Sequence, residues 1–119
     1  MGDHDKERIY NIEQMLMFDI RRSVRYEIMI IIKGLLKLET IHGDEKARSR
    51  WNAAVIAGRN RLNYMLGYIG DSLLGAIEDF STQEVHCEAL DEVEAETGVG
   101  KEHFREKCFT TEEVLDGKA

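Results

Sequence analysis

Residues 21–38 have the sequence RRSVRYEIMIIIKGLLKL, and the spacing of their apolar side chains decides the fold. A half-buried strand repeats its apolar face every two residues, whereas an amphipathic helix repeats it every 3.6 residues. Apolar side chains recur here in steps of three or four, and the series continues through the charged stretches on both sides. Its members are Ile12, Leu16, Ile20, Val24, Ile28, Ile31, Leu35 and Leu38. The stretch is therefore predicted to lie within one long helix.

A second long helix is predicted after the turn at residues 42–44. Gly43 suits a position just after a helix, and the Asp44 carboxylate can accept a hydrogen bond from the first N–H groups of the next one. The apolar series then resumes at Ala47, Trp51, Val55, Gly58, Leu62, Leu66, Ile69, Leu73, Ile77 and Phe80. Glycine lowers helix propensity, so we expect another helix to approach closely at Gly58, Gly67, Gly70 and Gly75. The alternative is a break near residues 67–70.

Shorter helices are predicted after residue 80. The sequence STQE at 81–84 is a capping-box pattern that opens an acidic helix ending near Gly98. A further short helix is predicted over Lys101–Cys108. A second capping pattern, TTEE at 110–113, precedes a frayed tail.

We expect one all-α domain over residues 1–119, with a long antiparallel helical hairpin over 4–80 and two or three short helices over 81–119. Each long helix also has a second apolar edge beside its core face. These edges include Met29, Ile32 and Leu36 in the first helix and Ala53, Ile56 and Tyr64 in the second. Two helices alone cannot bury faces this wide. A homodimer that completes a four-helix bundle is therefore predicted.

Charge is distributed unevenly along the chain. Residues 1–70 contain 12 Lys and Arg against 9 Asp and Glu, whereas residues 71–119 contain 4 against 14, a net charge of −10. The acidic part is predicted to contact a basic protein partner or the first part of a neighbouring subunit. The candidate contact residues are Glu88, Asp91, Glu92, Glu94 and Glu96. The alternative is that these carboxylates are simply solvated.

A cluster of arginines is predicted midway along the hairpin. With the turn at Gly43, Arg25 lies level with Arg61. The cluster comprises Arg21, Arg22, Arg25, Arg59 and Arg61, with Tyr26, Tyr64 and Asn63 beside them. Guanidinium groups suit carboxylates and phosphates, so the cluster is a candidate site for a small anionic ligand in a sensor or enzyme. The alternative is that the arginines cover apolar surface and pair with Asp19 and Glu27.

Neither a metal nor a cofactor is expected. Glu39 and His42 have the spacing of carboxylate-bridged metal sites, but both core series lack the further acids that such a site needs. Four residues, His86, Cys87, His103 and Cys108, are possible zinc ligands. His86 and Cys87 are adjacent in the sequence, so they point to different sides of a helix and the four do not readily bind one ion.

Residues 93–107, VEAETGVGKEHFREK, have the helix, turn and helix pattern of some DNA-binding proteins. Acidic side chains in this region disfavour contact with phosphates. A nucleic-acid partner is therefore not expected, and a DNA-linked regulator acting through residues 89–107 is only an alternative.

The remaining features favour a non-enzymatic interaction or regulatory protein in the cytoplasm. Charged residues and Gly34 interrupt the longest apolar run, so no membrane span is expected. The first residues, MGDHDKER, lack the apolar core of a secretory signal, and two cysteines are too few for a disulfide framework. The sequence also contains no phosphate-binding glycine loop and no nucleophile elbow.

Overall fold

The computed structural model describes residues 3–69 and 83–116, with side chains for residues 19–67 and 84–116. Its helices are α1 (Asp3–Thr40), α2 (Glu45–Ile69), α3 (Gln83–Thr97) and α4 (Thr111–Leu115), with a 3₁₀ turn at Lys101–His103. No strand occurs in the two described ranges. The all-α prediction and the two long packed helices are therefore confirmed. The predicted helix over residues 70–80 and the first part of the 81–84 cap lie outside the described residues.

The turn between α1 and α2 is held by side chains at both helix ends. Asp44 Oδ1 accepts a hydrogen bond of 2.7 Å from the backbone N–H of Ala47, which confirms the predicted cap. Arg48 donates to the carbonyl oxygens of Leu38 at 3.2 Å and Ile41 at 2.9 Å, near the end of α1. Gly43 does not have a positive φ. A Cβ there would lie 2.8 Å from Cη2 of Trp51, so glycine is needed to make room for the indole.

The two long helices approach closely where glycines replace larger side chains. A Cβ added to Gly34 would lie 2.5 Å from Cγ2 of Val55, and one added to Gly58 would lie 2.8 Å from Cγ1 of Ile31. The predicted close approach at Gly58 is confirmed. At Gly67 the prediction is wrong for the part of the chain that the structure describes, where an added Cβ meets nothing within 4 Å, and Gly70 and Gly75 lie outside that part.

Helix α3 packs along α1 and covers its second apolar edge. Val85, Ala89 and Val93 of α3 are buried in one core with Ile32 and Leu36, which are 1% and 0% exposed. The core also contains the α1 side chains Val24, Ile28 and Ile31. The sequence-based assignment of Ile32 and Leu36 to a subunit interface is therefore wrong, because a helix of the same chain buries them.

The chain after α3 departs from the predicted helix. Gly98, with φ of +76°, follows α3 in the left-handed region that favours glycine, which confirms the predicted end of that helix. Residues 101–103 form a 3₁₀ turn, and Phe104 is extended at φ −99° and ψ 163°. The predicted helix over Lys101–Cys108 is therefore wrong. Phe104 and Phe109 are 5% and 4% exposed, and burying both rings favours an extended segment here over a continued helix.

Helix α4 returns the chain to the hairpin. The Thr110 hydroxyl accepts a bond from the Glu113 N–H at 3.2 Å, and the Glu113 carboxylate accepts one from the Thr110 N–H at 3.1 Å. This reciprocal pair confirms the predicted cap. Arg59 of α2 donates to the carbonyl oxygens of Glu113 at 2.8 Å and Val114 at 3.1 Å. The Arg59 guanidinium therefore fastens α4 to α2 through backbone atoms.

The side chain of Arg105 holds the segment that follows α3. Arg105 lies 4.1 Å from the Phe109 ring centroid and pairs with Glu39 at 3.3 Å and Glu113 at 3.2 Å. Arg105 therefore ties the segment after α3 to both α1 and α4.

None of the helices in the described parts of the chain has the length and apolar character required to cross a membrane.

Candidate functional site

A groove with a volume of about 900 Å³ runs along the outward face of α1. We call it the α1 groove. Its lining from α1 is Asp19, Arg22, Ser23, Arg25, Tyr26, Glu27, Met29, Ile30 and Lys33, to which α2 adds Met65 and α3 adds Glu88 and Glu92. The volume lies in the range of about 300–1,000 Å³ that is usual for ligand pockets.

The helical period of α1 places this lining opposite the core. Positions 19, 22, 26, 30 and 33 recur in steps of three or four, so their side chains share one face of the helix. Tyr26 is 65% exposed there, whereas Ile28 and Ile31 on the other face are fully buried. The groove therefore combines a partly apolar floor with charged walls.

Ion pairs join α1 to α3 along one wall of the α1 groove. Basic side chains of α1 and acidic side chains of α3 meet in the same order along both helices, so the two helices run parallel. The pairs are Arg25 with Glu84 and Glu88, Lys33 with Glu92 and Glu96, and Lys37 with Glu96.

The contacts of Glu96 lower the pKa of its carboxyl group. Partial burial by itself raises this pKa, but hydrogen bonds and charges from Lys33 and Lys37 outweigh the burial. Lys37 Nζ lies 2.6 Å from Glu96 Oε2. Burial likewise lowers the pKa of the Lys33 ammonium, but Glu96 and Glu92 outweigh it, and the pKa is raised. Both directions stabilise the charged forms, so the ion pairs persist at neutral pH.

Acidification should weaken the packing of α3 on α1. Because folding lowers the pKa of Glu96, its contribution to stability is complete above the unfolded value of about 4.3 and is lost as the pH falls through the folded value. Thermal melts between pH 7 and pH 3 should show the midpoint falling over this window. Glu96→Gln should have a lower midpoint at pH 7 and a smaller fall with acid. Glu112→Gln, on the exposed side of α4, is the control and should keep the full fall; equal pH dependence of Glu96→Gln and the unmodified chain would contradict this assignment.

The five arginines of the predicted cluster contact different groups. Arg25 pairs with α3, whereas Arg59 binds backbone carbonyl oxygens of α4. Arg61 Nε donates to Glu27 Oε2 at 2.7 Å, and Glu27 is only 7% exposed. Arg21 and Arg22 are exposed, and Arg22 lines the α1 groove. The structure thus gathers Arg22, Arg25 and Tyr26 in the α1 groove but places the exposed Asn63 and Tyr64 on α2 outside its lining.

The acidic candidates from the sequence also make contacts within the chain. Glu88, Glu92 and Glu96 face basic residues of α1, and the first two of them line the α1 groove. Asp91 pairs with Lys101, whose backbone N–H donates to Glu94 at 3.0 Å. Contact of these carboxylates with a separate basic protein stays a prediction. Two of the acidic candidates therefore share the α1 groove with two arginines of the cluster and with Tyr26 beside them.

Sequence reasoning missed Lys33 and Lys37, although a signal for them exists. Acidic residues recur every four positions at 84, 88, 92 and 96, and basic residues stand at 25, 33 and 37, also separated by multiples of four. Matched charge spacing on two amphipathic helices indicates a contact between them. The role of Arg59 had no such signal, because its acceptors are backbone carbonyl oxygens, which every residue has.

The residues considered as metal ligands do not form a metal site. His86 is 1% exposed, with Nε2 3.0 Å from the Arg105 carbonyl oxygen and Nδ1 buried without a hydrogen-bond partner. Cys87 is exposed and Cys108 is half-buried. Within residues 3–69 and 83–116, no group of three or more His, Cys, Asp or Glu side chains has the arrangement of a metal site.

Comparison with known proteins identifies a family that covers most of the chain. The family described as "Domain of unknown function DUF29" matches residues 6–118 of the chain. Neither the curated proteins nor the solved structures contain a significant match.

Proposed function

Because the chain belongs to the DUF29 family, whose description assigns no function, we propose from the side chains alone that it is a non-enzymatic interaction protein that binds a protein partner in the α1 groove. The observation that carries this proposal is the meeting of Arg22, Arg25 and Tyr26 with Glu88 and Glu92 in one groove. Two sets of residues that the sequence indicates separately for binding thus lie on one surface.

The chemistry of the α1 groove supports a protein partner. Tyr26 is 65% exposed, and Met29, Ile30 and Met65 offer half-buried apolar surface beside it. Tyrosine and arginine are enriched among the residues that dominate binding energy at protein interfaces, and methionine adapts its shape to a partner. The proposal therefore places an apolar anchor of the partner beside Tyr26 and polar groups at the walls.

The distribution of charge favours protein over nucleic acid. Cations and carboxylates alternate around the groove, and Arg25 and Lys33 are already paired with α3. A polyanion gains affinity by neutralising phosphates with many cations, and carboxylates such as Glu88 and Glu92 oppose it. The alternative through residues 89–107 also lacks its second helix, since residues 101–103 form a single 3₁₀ turn.

Site-specific photo-crosslinking tests the proposal. A photoreactive amino acid in place of Tyr26 should yield one defined adduct in host cells, and mass spectrometry identifies the protein attached. The same amino acid at Glu112, an exposed site on α4, is the control. Arg22→Glu should reduce the Tyr26 adduct, because it changes the charge of the groove without entering the core. Identical adducts from both positions would overturn the proposal.

A small anionic ligand in the α1 groove is the second candidate. Arg22 lines the groove beside Arg25 and Lys33, whose ion pairs with α3 a nucleotide or carboxylate would have to replace. A ligand that binds only the folded state raises its stability by about 2.7 kcal/mol at a hundredfold excess over Kd. Thermal melts with phosphate, nucleotides and dicarboxylates should then show one shift that Arg22→Ala removes. Arg61→Ala is unsuitable for this test, because it leaves the buried Glu27 without its ion pair.

The homodimer stays a prediction, because only the α2 half of the apolar surface from which the sequence predicts it is left exposed. Helix α3 covers Ile32 and Leu36, so these residues do not support it. The exposure of Ile56 and Tyr64 on α2, at 49% and 67%, supports contact between that helix and another molecule. Light scattering distinguishes a mass near 13.7 kDa from twice that value.

A further inference from the structure

The outward side of α2 forms a second surface, separate from the α1 groove. Its residues recur mostly in steps of three or four and are all exposed: Arg50, Ala53, Ile56, Asn60, Asn63 and Tyr64. We call this surface the α2 face. It extends over about 21 Å of helix at 1.5 Å per residue and shares no residue with the lining of the α1 groove.

Large apolar side chains lie on the α2 face at its centre and one end. Ile56 is 49% exposed and Tyr64 is 67% exposed, and with Tyr26 they are the large exposed hydrophobic residues among those the structure describes. Ile56 and Tyr64 are eight residues apart, which places them about two turns from each other along the helix. Two anchors with this separation match the apolar stripe of a helix that lies along α2.

The side chains from Lys46 to Ile69 that are charged at neutral pH are all basic. The stretch contains five Lys and Arg residues and no Asp or Glu, in a chain whose net charge is −7. Arg48 and Arg59 point to backbone carbonyl oxygens and Arg61 pairs with Glu27, whereas Lys46 and Arg50 are exposed. The α2 face therefore bears the positive charge of Arg50 and contains no carboxylate, although the whole chain is acidic.

We infer that the α2 face binds an acidic amphipathic helix of another protein. Apolar side chains of that helix contact Ile56 and Tyr64, and its carboxylates face Arg50 and, one turn before it, Lys46. The inference stands on the α2 face alone and does not rest on the proposed role of the α1 groove.

The other occupants fit less well. The acidic helix of a second copy, α3, already buries its apolar residues Val85, Ala89 and Val93 within its own chain. A nucleic acid gains little from Ile56 and Ala53, which stand between the cations. Charge complementarity and an apolar stripe together therefore select an acidic amphipathic helix.

Fluorescence anisotropy with labelled synthetic peptides tests the inference. The probe is a peptide of about 20 residues, long enough to form a helix, with a leucine stripe flanked by glutamates. One control peptide replaces every glutamate by lysine, and another scrambles the acidic sequence so that the stripe is lost. The acidic amphipathic peptide should bind, both controls should not, and added salt should weaken binding.

Three variants of the full chain locate the binding surface. Ile56→Asp and Arg50→Glu should each weaken binding of the acidic amphipathic peptide at least tenfold. Both side chains are exposed, so circular dichroism should show an unchanged helical content. Tyr26→Asp, in the α1 groove, is the matched control and should bind the peptide as the unmodified chain does.

Four results would overturn the inference. These are equal binding of the acidic and basic peptides, no binding up to peptide concentrations of about 100 μM, a Kd that neither α2 variant changes, and loss of binding in Tyr26→Asp. A dimer by light scattering that Ile56→Asp converts to monomer would also overturn it, because a second copy would then occupy the α2 face.

Discussion

Leu36→Ala should lower the free energy of unfolding by about 2–5 kcal/mol. The Leu36 side chain is 0% exposed and belongs to the core that α1, α2 and α3 share. Truncation removes apolar contacts and leaves a cavity that rigid neighbouring helices fill incompletely. Urea unfolding monitored by circular dichroism at 222 nm, a standard wavelength for helices, measures the loss.

The matched control is Ile56→Ala, which removes a similar side chain from a site that is 49% exposed. Its cost should be under about 1 kcal/mol, because surface substitutions away from packed sites change stability little. The two experiments also separate burial within the chain from burial between subunits. A loss in Leu36→Ala that varies with protein concentration would contradict the intrachain core, because only an interface between copies depends on concentration.

Gly34→Ala should destabilise the chain by about 1–3 kcal/mol, although alanine is the stronger helix former. The added Cβ would lie 2.5 Å from Val55 Cγ2 and 3.3 Å from the Trp51 carbonyl oxygen. The backbone atom cannot rotate away as a side chain can, so α1 and α2 must separate. Thermal unfolding should show a lower midpoint.

Gly67→Ala provides the opposite case in the same hairpin. An added Cβ there meets nothing within 4 Å, so the variant should be more stable by up to about 1 kcal/mol through helix propensity alone. Loss of stability in Gly67→Ala, or none in Gly34→Ala, would show that the helices do not pack at the observed separation.

Local sequence determined the helices and their ends. The series through Val24, Ile28 and Ile31 has the helical period, and all three side chains are fully buried. Asp44 and Thr110 cap helices through groups within three residues, so a short window of sequence contains both donor and acceptor.

Local sequence failed where distant residues compete with helix propensity. Residues 101–108 have a helical composition, yet Phe104 and Phe109 are buried at 5% and 4% exposure, and the chain is extended at Phe104. Burying a large aromatic side chain contributes about 1.5–3 kcal/mol, which exceeds the helix preference of a few residues. The core that includes both rings also contains residues far away along the chain, such as Ile28 and Leu62.

The sequence by itself therefore determined an all-α chain with two long helices and an acidic third part, because period, capping and charge are local properties. Only the tertiary structure decided that α3 lies parallel to α1, covers Ile32 and Leu36, and pairs its carboxylates with Arg25, Lys33 and Lys37. An amphipathic helix specifies that one face must be buried but not which molecule buries it. That choice depends on the relative placement of α1, α2 and α3, and the same placement separates the α1 groove from the α2 face.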